Sequence, residues 1–318
     1  MDFLGNIFWL ILGLAAIVKS ADVLIDASAQ IARRFGVSSF VIGITVIAFG
    51  TSAPELSVGI VSGISRTNEL TLGNIIGSAL ANVALIVGIC AARRPLVTKK
   101  SVLRREFPML LGIELVLCAM LLNGVLSRLE GALLLAGFAA FIACIALDAK
   151  KTMALQDAAA DTKNDEQSGM AKLLLFSALS LAGLFLGGKL TVDSSSAVAQ
   201  RLGLSETLIG LTVVALATTL PELITSLTAV RKNEPDIVLG NCIGSNIFNI
   251  LFVLGTSSVI HPITLRGSLW AELAAMLTLT TLLFLLALVQ KKIHRAAGIL
   301  LILCFAAYLV YQVVGALV

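Results

Sequence analysis

The sequence predicts an all-α polytopic membrane protein with ten transmembrane helices in two inverted five-helix repeats, helices 2 and 7 being broken. Three observations carry that expectation. Hydrophobic residues make up 58% of the 318, charged residues only 13%, and the mean hydropathy is +0.99. The apolar residues fall into ten runs, each long enough to cross a bilayer, which takes about 20 residues. The two halves also match each other at an offset of 167 residues. An average soluble domain carries about 25% charged residues, so a soluble core of this size lacks the charge to cover so much apolar surface. The same composition excludes a disordered chain, a disulfide scaffold and a nucleic-acid binder.

The runs lie at 3–31, 38–64, 70–92, 103–123, 128–147, 171–200, 205–230, 236–259, 268–289 and 295–317. The first lacks the basic start and small-residue cleavage site of a signal peptide, so it is expected to stay as a helix. Residues 148–170 form the only long polar stretch, with Asp157, Asp161, Asp165 and Glu166 among Ala and Thr. A mobile, solvated hinge is the reading adopted, with an acidic calcium-sensing segment as its alternative. The organisation is then residues 1–147 as the first five-helix repeat, 148–170 as a cytoplasmic linker and 171–318 as the second, inverted repeat. Cys90, Cys118, Cys144, Cys242 and Cys304 all sit in apolar runs without metal-ligand spacing, and read as small buried hydrophobes.

Basic residues set the orientation. Loops after odd-numbered spans hold 17 Lys and Arg, and loops after even-numbered spans hold only Arg66, Arg128, Arg201 and Arg266. By the positive-inside rule the first group is cytoplasmic. Both termini are then outside and the 148–170 linker is in the cytoplasm.

From Asp26 to Gly88 the halves align without a gap, and 23 of the 63 positions are identical. GITVIAFGTSAPEL (43–56) overlays GLTVVALATTLPEL (210–223), and GNIIGSALAN (73–82) overlays GNCIGSNIFN (240–249). Five spans per half is an odd number, so the second half enters the membrane inverted. That is an architecture of secondary transporters, with the substrate held at the midplane between repeats. The most similar residues are polar, which packing alone does not explain.

Glu55 and Glu222 fall near the middle of spans 2 and 7. A carboxylate there costs about 2.5–3.5 kcal/mol even on the lenient insertion scale, so two at equivalent positions point to one shared site. Pro54 and Pro221 precede them, and each removes a helical hydrogen bond, expected to free backbone oxygen around Ala48–Thr51 and Ala215–Thr218. Thr51 and Ser52, and Thr218 and Thr219, place hydroxyls beside the glutamates. Asn74, Ser78 and Asn82 form one polar ridge at helical spacing, as do Asn241, Ser245 and Asn249. Gly73/Gly77 and Gly240/Gly244 are small-residue pairs that let helices approach. With neither imidazole nor thiolate, this is hard oxygen chemistry suited to Ca²⁺ or Na⁺.

At these residues the chain resembles the sodium/calcium exchanger family, within the calcium/cation antiporter superfamily. The likeness covers ten spans, a central loop and the paired motifs, and the short loop is similar to that of prokaryotic members. The resemblance implies Glu55 and Glu222 as central metal ligands, with Thr51, Ser52, Thr218, Thr219, Ser78 and Ser245 supplying side-chain oxygens. Ala48 and Ala215 would offer backbone carbonyls, and Asn82 and Asn249 would flank the centre. Calcium would be expelled as sodium enters, while spans 1 and 6 slide against the rest. The membrane implied is the plasma membrane, the inner membrane in a bacterium. Ca²⁺ and Na⁺ are cargo, no resident cofactor, catalytic residue or enzyme activity is expected, and the partner is the lipid bilayer, with no protein partner inferable. A proton-coupled or potassium-dependent exchanger, an intramembrane hydrolase and a passive channel are the alternatives. The first repeat reads GSALAN where GSN is typical, so Ala79 lacks the amide of Asn246, and Asn249 replaces an acid found in some archaeal members.

Five further charges lie inside spans. Lys19, Asp22 and Asp26 in span 1, and Lys189 and Asp193 in span 6, are expected to pair locally along their own helices, with an ion vestibule as the alternative. Glu114 and Glu272 have no repeat partner and are left outside the site.

Overall fold

The computed structural model describes residues 3–35, 37–66, 69–157, 167–202, 214–265 and 269–317, without the side chains of 69–70, 149–157, 167–168, 215 and 313–317. The chain is almost wholly helical, as a backbone in hydrocarbon must be to satisfy its own polar groups. α1 runs Phe3–Phe35. The next span is composite: α2 (Ser39–Ile42), a π-helical turn (Gly43–Ile47) and α3 (Ala48–Thr51) lead to a break at Ser52, after which α4 (Ala53–Ser65) departs at 45°. α5 (Glu69–Leu80) continues through a π-helical segment (Ala81–Ile86) into α6 (Val87–Arg93). After β1 (Leu96–Val97), a π-helical turn (Val102–Glu106) opens α7 (Phe107–Met120), and β2 (Val125–Leu126) precedes α8 (Arg128–Asp157).

The second half follows with α9 (Gln167–Arg201), α10 (Ala215–Arg231) and α11 (Pro235–Phe248). A π-helical segment (Asn249–Leu254) joins α11 to α12 (Gly255–Ile260). β3 (Ile263–Thr264), α13 (Trp270–Gln290), β4 (Lys292–Ile293) and α14 (Arg295–Leu317) complete the chain. Among the described residues, eight helical runs are long and apolar enough to cross a membrane, and the bent 39–65 pair makes a ninth. The expected seventh span, 205–230, begins at residues outside the description, and its described part is α10.

Three expectations need correction. The linker expected over 148–170 is helical at both ends, because α8 runs on to Asp157 and α9 starts at Gln167. Seven of its first ten residues, DAKKTMALQD, are good helix formers and none is Gly or Pro, so propensity carries the helix beyond the apolar run. Asp161, Asp165 and Glu166 lie outside the described residues. The second proline does not break its helix among the described residues: Pro221 sits inside α10, which is continuous from Ala215 to Arg231. A lone proline costs a hydrogen bond and a steric push but need not end a helix held on several sides. Finally, Cys144 is exposed and not buried, while Cys90 and Cys242 are buried.

Burial ranks the spans. The α5–α6 span and the α11–α12 span are 78% and 94% buried over their apolar windows, whereas the other long spans reach at most 33%. These two form the centre, and they carry the Asn/Ser ridges. α11 lies against the composite span so closely that a Cβ at Gly240 would come within 2.5 Å of the Phe40 carbonyl oxygen. Outside this core, α1 and α9 are packed along each other. A Cβ at either Gly13 or Gly187 would lie 2.9 Å from the other's carbonyl oxygen, so their backbones touch. Gly188 on α9 faces both prolines: a Cβ there would sit 2.7 Å from the Pro54 ring and 3.4 Å from that of Pro221.

Two antiparallel strand pairs tie the loops together. β1 pairs with β4 in the register Leu96↔Ile293, and β2 pairs with β3 in the register Leu126↔Ile263.

Candidate cation site

The break at Ser52 places the glutamate of each half beside hydroxyls of the other. Ser52 Oγ, from the first half, donates to Glu222 Oε1 at 2.9 Å. Ser245 Oγ donates to the same oxygen at 3.4 Å, and Ser78 Oγ donates to Glu55 Oε1 at 3.3 Å. Ser78 Oγ also lies 3.3 Å from Thr219 Oγ1, and Thr51 Oγ1 lies 3.5 Å from Ser245 Oγ. Both glutamates are essentially inaccessible, at 0% and 1% exposure. The α3–α4 and α10 motifs therefore meet in one buried cluster.

The asparagines behind it were part of the ridges but not of the expected ligand set. Thr51 Oγ1 donates to Asn241 Oδ1 at 3.1 Å, and Thr218 Oγ1 donates to Asn74 Oδ1 at 3.3 Å, the same pairing from each half. Asn241 Nδ2 also donates to the Glu222 carbonyl (3.4 Å) and to Ser226 Oγ (3.2 Å), fixing the glutamate's backbone. Sequence spacing placed these amides on the right face; only the cross-half partner was invisible. Pro54 and Pro221 are buried beside their glutamates. Ala48 is buried, but its carbonyl oxygen is not freed: it accepts the Ser52 N–H at 3.1 Å and Thr51 Oγ1 at 3.4 Å. Any ligation through it uses an oxygen already inside the helical ladder. The backbone of Ala215 begins α10, and its side chain lies outside the description.

Asn82 and Asn249 are both fully buried but have unlike surroundings. Asn82 Nδ2 donates to Asn246 Oδ1 at 2.9 Å, and Asn246 Nδ2 donates to the Ala79 carbonyl at 3.4 Å. Asn249 has no partner for either amide atom. The residue that would mirror Asn246 is Ala79, which has no amide to offer. One oxygen of each glutamate, Glu55 Oε2 and Glu222 Oε2, and Asn82 Oδ1 are likewise buried without a partner. Buried polar atoms are nearly always paired, so a cluster of unpaired oxygens marks a place where a cation fits. Among the described residues no group of three His, Cys, Asp or Glu is assembled, so a bound cation would draw its other ligands from hydroxyl, amide and carbonyl oxygens. Such a donor set suits Ca²⁺, which takes six to eight oxygens.

The charges at the ends of α1 and α9 depart from the local pairing expected. Asp22 and Asp26 reach across to the turn after α10: Lys232 Nζ lies 2.5 Å from Asp26 Oδ2 and 3.2 Å from Asp22 Oδ1, and Arg231 Nη2 lies 2.5 Å from Asp22 Oδ1. Arg33 pairs with Glu234 at 3.4 Å, and Ser39 Oγ donates to Glu234 Oε2 at 2.7 Å. Lys189 and Asp193 instead line a cavity of about 510 Å³ that reaches Pro54, Ser62 and Asn74. One further carboxyl went unplaced by the sequence: Glu114 is fully buried and accepts from Thr280 Oγ1 at 2.9 Å.

Residues 5–147 and 172–314 match the sequence model of the family described as "Sodium/calcium exchanger protein". The chain belongs to the sodium/calcium exchanger family. It is 35% identical over 303 residues to the "Inner membrane protein YrbG" of Escherichia coli K12, covering 92% of each chain. It is 32% identical over 344 residues to the "Sodium/calcium exchanger MaX1" of Methanosarcina acetivorans, covering 96% of this chain and 97% of that one. In three dimensions it matches the sodium–calcium exchanger NCX_Mj soaked with Na⁺ and Sr²⁺, at a TM-score of 0.83 and 29% identity over 97% of this chain and 99% of that chain. The protein is thus an integral membrane transporter of the short type, a calcium/cation antiporter by family, and its fold is that of NCX_Mj.

Proposed function

We propose that this antiporter exchanges Ca²⁺ for Na⁺ by alternating access, extruding calcium as sodium enters. The observation that carries the reading is the crossed pairing at the glutamates: Ser52 of one half serves Glu222 of the other, while each glutamate keeps one buried oxygen without a partner. Two carboxylates neutralise one divalent cation, and monovalent cations satisfy the same oxygens one by one, so the ions compete for a single set of ligands. Glu55 and Glu222 are the central ligands. Thr51, Ser52, Thr218, Thr219, Ser78 and Ser245 supply hydroxyls, Ala48 and Ala215 carbonyls, and Asn82 and Asn249 flank the centre.

The reading includes ten spans in two inverted halves, 1–147 and 171–318, about the 148–170 linker. Three observations support it. The family match falls in two segments with a gap at the linker. The strand pairs Leu96↔Ile293 and Leu126↔Ile263 exchange into each other under the same 167-residue offset that aligns the sequence. The Thr51–Asn241 and Thr218–Asn74 bonds obey it too. The reading also has both termini outside and the linker in the cytoplasm of a prokaryotic cell, supported by the bias of the loop charges.

The test is radiolabelled calcium uptake into proteoliposomes loaded with sodium and diluted into sodium-free buffer at matched pH. Uptake that requires the sodium gradient is the expected result. Uptake driven only by a proton gradient would change the coupling ion, and conductance without any opposing gradient would replace the antiporter with a channel.

A further inference from the structure

The β1–β4 pair gathers basic residues from two loops far apart in sequence. Thr98 N–H donates to the Lys291 carbonyl at 3.1 Å, next to the Val97↔Lys292 register pair. This brings residues 96–98 alongside 291–293, and so joins the segments 93–104 and 291–295. Nearby acids are already engaged: Asp236 with Lys99 at 2.5 Å, and Glu106 and Asp148 with Arg105. Arg93, Lys100, Arg104, Lys291, Lys292 and Arg295 are all exposed and have no ion-pair partner among the described residues. The β2–β3 pair has the same backbone design, with no such cluster among the described residues. Arg128, two residues after β2, donates to the Ile260 carbonyl at 3.2 Å.

The topology rule explains why cations favour one membrane face, not why six unpaired ones fall on the two segments that one strand pair joins. Nor is this an ordinary solvated surface. Val97 is 59% exposed amid the charges, and Val289, just before Lys291, is 79% exposed. Cations beside bare aliphatic side chains at a span end match an anionic lipid, whose phosphate lies immediately outside its acyl chains. We propose that these six residues form a binding site for the headgroup phosphate of anionic phospholipids, anchoring α6 and α14 at one face of the bilayer. The site is independent of the ion chemistry at Glu55 and Glu222.

The test is native mass spectrometry of the full chain released from detergent with equal amounts of phosphatidylglycerol and phosphatidylcholine. The wild type is expected to retain phosphatidylglycerol selectively. The Lys291→Gln/Lys292→Gln variant should weaken that retention by about fivefold per cation removed. Adding Lys100→Gln and Arg104→Gln should weaken it further, while Arg128→Gln, at the other strand pair, should leave it unchanged. Equal retention of both lipids by the wild type, or undiminished phosphatidylglycerol on the double variant, would overturn the proposal. Displacement of phosphatidylglycerol by inorganic phosphate would also overturn it, in favour of a soluble anion.

Discussion

Asp22 and Asp26 on α1 align, 167 residues on, with Lys189 and Asp193 on α9, yet the two ends have different surroundings. The α1 pair is clamped to Arg231 and Lys232. The α9 pair lines a cavity that runs inward to Pro54 and Asn74. Among the described residues, near-repeated sequence has thus produced one end fastened by ion pairs and one that lines a cavity. The difference follows the sequence: the positions that match Arg231 and Lys232 in the first half are Ile64 and Ser65, which carry no charge for an ion pair. On the proposed function, the two unlike ends flank the two approaches to the site, and exchange of their roles is the transport cycle.

The comparison breaks most severely if the two ends serve different sites. Glu55→Gln or Glu222→Gln alone should lower calcium transport by about a hundredfold or more, because each removes one half of a paired buried charge site. Uptake assays on matched amounts of reconstituted protein would check this. Next in size is the contact between α9 and the two prolines, across which the proposed function requires sliding. Gly188→Leu forces a side chain against Pro54 and Pro221, an overpacking of about 1–3 kcal/mol. Slower transport with calcium binding retained is expected, read by comparing uptake rate with equilibrium binding.

Smaller effects sharpen the contrast between halves. Ala79→Asn would give Asn249 the partner that Asn246 gives Asn82, worth about 1 kcal/mol of stability. A rise in thermal midpoint in detergent would register it, and no rise would mean that Asn249 already finds a ligand elsewhere. The smallest effect is at the clamp. Lys232→Ala removes pairs whose carboxylates are 40% and 59% exposed, so the shift between conformations should not exceed about 1 kcal/mol. Labelling of a single cysteine near the α1 end, faster in the variant, would detect it.

Much of this was legible before the fold was known, for a physical reason. Polar atoms are costly in hydrocarbon, so Glu55, Glu222, the hydroxyl pairs and the Asn/Ser ridges stood out against an apolar background, and all the described ones are buried together. Most described helix ends were legible to within a few residues for the same reason, the end of α8 excepted. What stayed hidden depends on partners distant in sequence. Asp22 and Asp26 read as mates of Lys19 at helical spacing, but their cations lie more than two hundred residues on. Glu114 read as isolated because Thr280 belongs to another half. The continuous helix through Pro221 and the helical turns beyond residue 148 are hidden too, because proline and polarity signal breaks in a sequence. Packing and propensity outweighed both.

The central claim is that the two repeated motifs make one cation site and not two. Calcium titration of the purified full chain by calorimetry tests it most directly, with wild type, Glu55→Gln and Glu222→Gln compared in sodium-free buffer. One high-affinity calcium per chain, lost in either variant and displaced by sodium, is the predicted result. A variant that keeps a calcium site of unchanged affinity would show that the glutamates act separately, and would contradict the account.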